Sequence, residues 1–553
     1  MTTIEQHELR YLPLNTQDDG KIKLTTPTSA SKWKTKEFYF YYFVIMMVVP
    51  YMFYVTYSLG QSNHPNYNQY SNLLSDGWIF NRKVDNSDMQ YAQFRNNLPL
   101  LSMLACVYLV LSRIYRQFST KQDPFYVNQS YFYLISASIV ITALHGTGII
   151  KILLITSTNF TIGRIFGATR WNPIITWTFN LAILFLNECY QGYKFDAIGL
   201  PVLDQYSGLL PRWHVFFNFS MLRMVSFNMD YYWHFGHLDA DHPVATSEPT
   251  EKERIQTPCP QADYNYFYYL VYILYTPLYI CGPIITFNDF ISQMRTPCSK
   301  LTRKYVVMYA LRLAAVVLTM EFTLHYLYVV AISKAQAWSN DTPLQLSMIG
   351  YFNLLIIWMK LLIPWRFFRL WALSDGIWPE ENMIRCMSNN FSAQRFWKSW
   401  HRSFNRWTIR YIYIPLGGSK YFAFSMWVVF TFVAIWHDIE LKLLAWGWLI
   451  CLFLLPEIIG SRLFTLKRFG HTWYYRFVCG LGAVCNILMM MVANLVGFCL
   501  GLDGMKAMII QIVSSADGLV FLFTVIFCLY VAAQIMFEIR ESEKRRGDPK
   551  WTM

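Results

Sequence analysis

Apolar runs of near-bilayer length alternate with short polar connections along almost the whole chain. A transmembrane helix needs roughly 20 predominantly apolar residues. Runs near 38–59, 98–115, 131–157, 173–190, 263–287, 305–333, 344–372, 421–437, 442–465, 476–500 and 519–538 approach or exceed that length. They predict an all-α, polytopic integral membrane protein with about ten or eleven transmembrane helices. Pro277, Gly282 and Pro283 fall inside 263–287, so that run must kink, and its freed carbonyls need partners or a cavity. Some of the interrupted runs are therefore expected to be re-entrant.

Residues 1–36 form a polar tail that reads as disordered, with no cleavable signal peptide, and 539–553 form a basic tail. Lys21, Lys23, Lys32, Lys34 and Lys36 precede the first run, and Lys544, Arg545 and Arg546 follow the last. Cytoplasmic loops are enriched in such cations, so both ends are expected on the cytosolic face, which asks for an even number of crossings. Composition agrees: 54% hydrophobic and only 15% charged residues exclude an ordinary soluble chain. The net charge of +13 sits in loops between apolar runs, which suits anionic headgroups better than nucleic acid. The 11 cysteines are scattered with no CxxC pair, so neither a zinc site nor a disulfide framework is expected.

Several polar residues interrupt the apolar pattern. In 211–230, Arg212, Asn218, Arg223 and Asp230 lie within an aromatic stretch and predict an interfacial helix whose polar face meets headgroups. The polar loop after it holds His234 and Asp239 at a spacing used by soluble glycerolipid acyltransferases, and His237, Asp241 and His242, which resemble a metal cluster. Both spacings are short enough to arise by chance. His145, Gly146 and Gly148 point to a kinked helix. Glu321 and His325, four apart, share a helical face as a proton relay or, the better reading, a structural tie. Arg366 and Arg369 beside Trp365 and Trp371 suit a phosphate contact or an aromatic-basic girdle.

The stretch Arg395–Trp446 carries the chemistry. Trp397, Trp400, Phe404 and Trp407 recur at helical spacing, and Arg395, Lys398, Arg402, Arg406 and Arg410 mark a basic stripe on the same predicted amphipathic helix. His401 and Asn405, four apart, share a face of it. Pro415, Gly417 and Gly418 end the regular structure before Lys420, and an apolar run from Phe422 to Trp436 finishes on His437 and Asp438. Ionisable groups at membrane depth usually face an internal cavity, and desolvation there favours a neutral imidazole. Between Glu381 and Asp438 lie seven Lys or Arg and no acid, a composition that suits an anionic, phosphate-bearing substrate.

The strings WHRSFNRWTIRYIYIPLGGSK and IWHD resemble the core signature of the membrane-bound O-acyltransferase superfamily, which includes Hedgehog acyltransferase. Longer strings, among them PRWHVFFNFSMLR, YTPLYICGPIITFNDF, IIWMKLLIPWRFFRLWALSDG and ENMIRCMSNNFS, extend a likeness to the fungal glycerol uptake protein family over nearly all of 34–547. The resemblance implies one domain over 37–538, with a catalytic core near 344–500 around an intramembrane chamber. It implies transfer of a long fatty acyl group from acyl-CoA, a co-substrate, to a lipid hydroxyl, with no cofactor and no metal. The implied acceptor is the sn-2 hydroxyl of lyso-phosphatidylinositol in glycosylphosphatidylinositol (GPI) anchors. The implied location is the endoplasmic reticulum membrane, with the plasma membrane as a further one. His437 matches the superfamily's central histidine and His401 its second polar position; Asn405 and Asp438 are supporting candidates. Arg395, Lys398, Arg402, Arg406, Arg410 and Lys420 are candidates for the coenzyme's phosphates. A glycerol–proton symporter and a protein acyltransferase similar to Hedgehog acyltransferase stand as alternatives.

Overall fold

A computed structural model describes residues 29–118, 125–236 and 249–548. Among the described residues, ten helices are long and apolar enough to cross a membrane, from Lys36–Leu59 to Ala516–Arg545. The only ladder there is a hairpin, Leu74–Asp76 paired antiparallel with Lys83–Asp85. The all-α polytopic expectation therefore holds, and the differences lie in where the runs break.

The run 131–157 is two helices, Phe125–His145 and Gly148–Phe166. The break is at Gly146, whose φ is +54° and where a Cβ would fall 1.8 Å from the Tyr206 carbonyl oxygen. His145 Nδ1 caps the turn on the Leu210 carbonyl at 2.8 Å. The helix Trp171–Tyr190 forms as expected but buries Asn172, Thr176, Asn180 and Asn187 along one edge, and so falls outside the ten apolar helices.

The interfacial helix expected at 211–230 is instead a central one. Trp213–Gly236 buries fifteen of its 24 residues, including every residue from Ser220 to Tyr231. Its polar groups meet protein rather than headgroups. Asn228 donates to the Asn159 carbonyl at 2.9 Å and to Thr176 Oγ1 at 3.0 Å. Asp230 pairs with Arg410 at 2.9 Å and accepts from Tyr411 Oη at 3.0 Å. Gly163 lets the neighbouring helix come this close: a Cβ there would lie 2.5 Å from Asn228 Oδ1. Gly163→Ala is expected to cost about 1–3 kcal/mol through overpacking, read as a lower melting temperature of the solubilised protein.

The run 263–287 breaks and turns back on itself. Helices Tyr266–Leu274 and Thr276–Tyr279 lead in, 280–286 is irregular, and Phe287–Arg295 leads back. Arg295 grips Asp263 with two bonds of 2.6 and 2.7 Å, so the two ends of the excursion meet. Arg223 of the central helix donates to the carbonyls of Tyr272, Ile273 and Leu278 that the breaks set free. These bonds are the partners that a broken helix at membrane depth requires.

The run 305–333 also breaks, into Arg303–Tyr326 and Val329–Ala335, with Asp85 accepting from the N–H groups of Val330 and Ala331 at 3.0 and 2.9 Å. Glu321 takes two bonds from Arg95, both 2.6 Å, and one from Trp78 Nε1. His325 bonds the Glu321 carbonyl through Nδ1 and accepts the Trp78 N–H at Nε2. The Glu321–His325 motif is thus a tie that clamps the hairpin. Arg366 and Arg369 both lie against Glu381, at 3.6 and 3.5 Å.

The last helix runs on to Arg545, so much of the basic run at 539–553 is its final turns. It holds residues at the start of the described chain: Lys32 N–H donates to Glu538, Trp33 Nε1 to Ser542 at 2.7 Å, and Arg545 to the Ser29 carbonyl at 3.0 Å. Residues 29–33 and 538–545 therefore lie side by side. Residues 1–28 and 549–553 of the two expected tails lie outside the described residues. So do His237, Asp239, Asp241 and His242.

Candidate active site

The continuous helix expected from Arg395 to Arg410 is broken at its most important residue. Ser392 caps a helix over Ala393–Ser399, and a second helix covers Arg402–Thr408 before a π-helical turn at Ile409–Tyr413. Between them His401 adopts φ +43° and ψ +51°, a left-handed conformation uncommon outside glycine. Long-range backbone pairing overrides the local helical preference: Trp400 bridges to Met383, and the Arg402 N–H donates to the Asn382 carbonyl at 3.1 Å. Such a backbone costs about 1–3 kcal/mol and persists only where its surroundings enforce it. Aromatic packing adds to that enforcement. The His401 ring stacks on Trp365, with centroids 4.3 Å apart and planes 21° apart, and on Phe404 at 5.1 Å. Asn405 still follows one turn on, its N–H bonded to the His401 carbonyl.

His437 closes the helix Phe422–His437. Trp436 before it anchors the helix end by donating Nε1 to the Asn218 carbonyl of the central helix at 3.1 Å. His437 lies 5.1 Å from Trp436 and 6.5 Å from Phe404, between ring centroids; His401 lies 6.3 Å from Trp436. The two imidazoles, 36 residues apart in sequence, thus flank the same two aromatic rings. His401 is buried, whereas His437 is exposed. Burial pushes the His401 imidazole well below its usual range, and a charge on nearby His437 would push it further. Asp438 is exposed and makes no hydrogen bond to His437 among the described residues.

The cations divide into two sets. Although no acid lies near them in sequence, Arg402 meets Glu380 at 2.5 Å, Arg406 meets Glu251 at 2.7 Å and Glu380 at 3.2 Å, and Arg410 meets Asp230. These three are neutralised by acids that the fold brings in. Burial and the neighbouring Glu251 push Glu380 up to about 7; against its own burial, Arg406 and Arg402 hold Glu251 below the usual carboxylate range. Arg395 and Lys398 have no carboxylate within ion-pair distance among the described residues. Burial, then Arg385, pushes Arg395 down, and burial, then Arg395, pushes Lys398 down. An anion placed there would relieve both. Lys420 is exposed beside the Tyr421 ring.

Asn382 and Trp365, which hold His401 in place, are absent from the candidate residues that local spacing singles out. The sequence signal for Asn382 is its place in ENMIRCMSNNFS, just ahead of the stretch, near the expected chamber; that for Trp365 is its place beside Arg366 and Arg369, which suit a phosphate contact or a membrane girdle.

Ten helices long and apolar enough to cross a bilayer define a multi-pass membrane protein. The chain belongs to the membrane-bound O-acyltransferase family, whose model matches residues 202–502, and is an acyltransferase. It is 47% identical to the membrane-bound O-acyltransferase GUP1 of Candida tropicalis, over 99% of this chain and 94% of that protein. It is likewise 47% identical to GUP1 of Saccharomyces cerevisiae, over 97% and 98%. The protein-cysteine N-palmitoyltransferase HHAT of Mus musculus is 28% identical over 43% of this chain and 51% of its own length.

Proposed function

We propose that the protein transfers a long-chain fatty acyl group from acyl-CoA to the sn-2 hydroxyl of the lyso-phosphatidylinositol moiety of GPI anchors, in the endoplasmic reticulum membrane. The observation that carries the chemistry is His437, exposed at the end of an apolar helix and beside the aromatic pair it shares with His401. An alcohol is a poor nucleophile at neutral pH, and a neutral imidazole within hydrogen-bond reach removes its proton as it attacks. The alcohol oxygen bonds to the thioester carbon and the carbonyl electron pair moves onto oxygen. The pair then returns, the C–S bond breaks, and the thiolate leaves with the proton held on His437. The balance closes without a cofactor.

His401 orients the reactants, and Asn405 supports it from the next turn. Arg395 and Lys398, with Lys420 at the margin, are assigned to the coenzyme's phosphates; Arg402, Arg406 and Arg410 already have acid partners and are left out. The acceptor rests on the likeness to fungal glycerol uptake proteins.

The test supplies the purified protein with labelled long-chain acyl-CoA and lyso-phosphatidylinositol. Label in phosphatidylinositol supports the reading. Label in a peptide with an N-terminal cysteine and none in lipid refutes the acceptor, and glycerol flux into vesicles without acyl transfer refutes both halves. His401→Ala is expected to lower kcat by about 10- to 100-fold, less than loss of the base itself.

A further inference from the structure

We infer that Asn382 is a further catalytic residue: its side-chain amide Nδ2 donates to the carbonyl oxygen of the reacting thioester as that oxygen gains charge. This rests on the acyl-transfer chemistry proposed for His437.

Asn382 is 1% exposed, and its orientation is determined by its partners. Oδ1 accepts the Ser403 N–H at 3.2 Å and the Ser403 hydroxyl at 2.6 Å. A backbone N–H can only donate, so the atom facing it is the oxygen, and the amide cannot be turned over. Ser403 Oγ in turn accepts the Ile284 N–H at 2.8 Å, which links the amide to the irregular segment of the turned-back run. Nδ2 is left buried with no acceptor among the described residues. A buried unpaired donor costs about 1–3 kcal/mol and calls for an explanation.

Its neighbours supply one. The Asn382 carbonyl holds the peptide that joins His401 to Arg402, and the next residue, Met383, bridges to Trp400 and packs against Trp365, on which His401 stacks. His401 Nε2 is also buried and unpaired. The preceding residues point elsewhere: Glu380 to Arg402 and Arg406, Glu381 to Arg366 and Arg369. Asn382 Nδ2 is thus an unused donor, fixed in direction by Ser403 before substrate binds. A preorganised neutral donor in a low-dielectric site is suited to a developing oxyanion and needs no reorganisation during the reaction.

The test is Asn382→Asp, which keeps both acceptor bonds from Ser403 and replaces the donor with an oxygen, and Asn382→Ala beside it. Each is assayed for acyl transfer and thermal melting, with His437→Ala run in parallel. The expected result for Asn382→Asp is a kcat lower by about 10²–10³-fold, with KM for acyl-CoA within about threefold and melting retained. Full turnover, a loss carried wholly by KM, or loss of the melting transition in both Asn382 variants would show the amide to be structural and overturn the inference. An active His437→Ala would remove the underlying chemistry; an inactive one with active Asn382→Asp would remove only the role of Asn382.

Discussion

His437→Ala is expected to reduce kcat for acyl transfer by about 10²–10⁴-fold, the usual contribution of a positioned general base. The effect should be chemical and not structural. The imidazole is exposed and carries no hydrogen bond from protein among the described residues. The helix end is held by its neighbour, Trp436, through the Asn218 carbonyl, and that bond survives the truncation. Expression, membrane insertion and melting temperature should therefore match the parent protein while turnover collapses. Since the alanine removes the proton acceptor and leaves the Phe404 and Trp436 rings in place, acyl-CoA binding should change little. A variant that keeps half its turnover under saturating substrates would eliminate the imidazole as base.

Asp375→Ala should have the largest effect on stability, about 3–5 kcal/mol, the usual cost of stripping one partner from a buried ion pair. Asp375 ends the long helix Pro343–Asp375 and is 2% exposed. Its carboxylate receives Tyr275 Oη at 2.8 Å from the turned-back run, and Ser112 Oγ at 2.8 Å and Tyr108 Oη at 3.3 Å from the helix Met89–Phe118. Arg116 of that helix pairs with it at 3.0 Å and also bonds its backbone carbonyl. Alanine leaves a guanidinium without its counter-charge and three hydroxyls without an acceptor, at the junction of three elements. The melting temperature in detergent should fall steeply. Asp375→Asn, which keeps acceptor capacity and loses the charge, should fall between, and adding Arg116→Met to the alanine variant should recover part of the loss. An unaltered melting curve for Asp375→Ala would remove the junction from any account of stability.

Local pattern made much of the site legible. His437 is conspicuous because an imidazole closes an apolar run, and His401 because WHRSFNRW precedes a proline-glycine break. The helix that was to carry His401 and Asn405 together was only partly legible: periodicity reports the side-chain repeat, and nothing in it shows that the Asn382 carbonyl claims the Arg402 N–H and bends the chain. The acid partners of Arg406 and Arg410 are not legible from the sequence for a similar reason. Glu251 and Asp230 lie 155 and 180 residues from the arginines they neutralise, so no local window contains them.

By itself, the sequence determined the class of protein: a chain of bilayer-length apolar runs, with the two histidines already marked by their local strings. Length, hydropathy and motif are properties of contiguous residues, which no later packing alters. Tertiary structure decided which runs turn back, that Trp213–Gly236 is wrapped by its neighbours instead of lying at the interface, which arginines keep an unmatched charge, and that Asn382 stands beside His401. Each of these depends on which distant groups satisfy a buried hydrogen bond or charge, and in a low-dielectric interior that satisfaction decides where a polar residue can be placed.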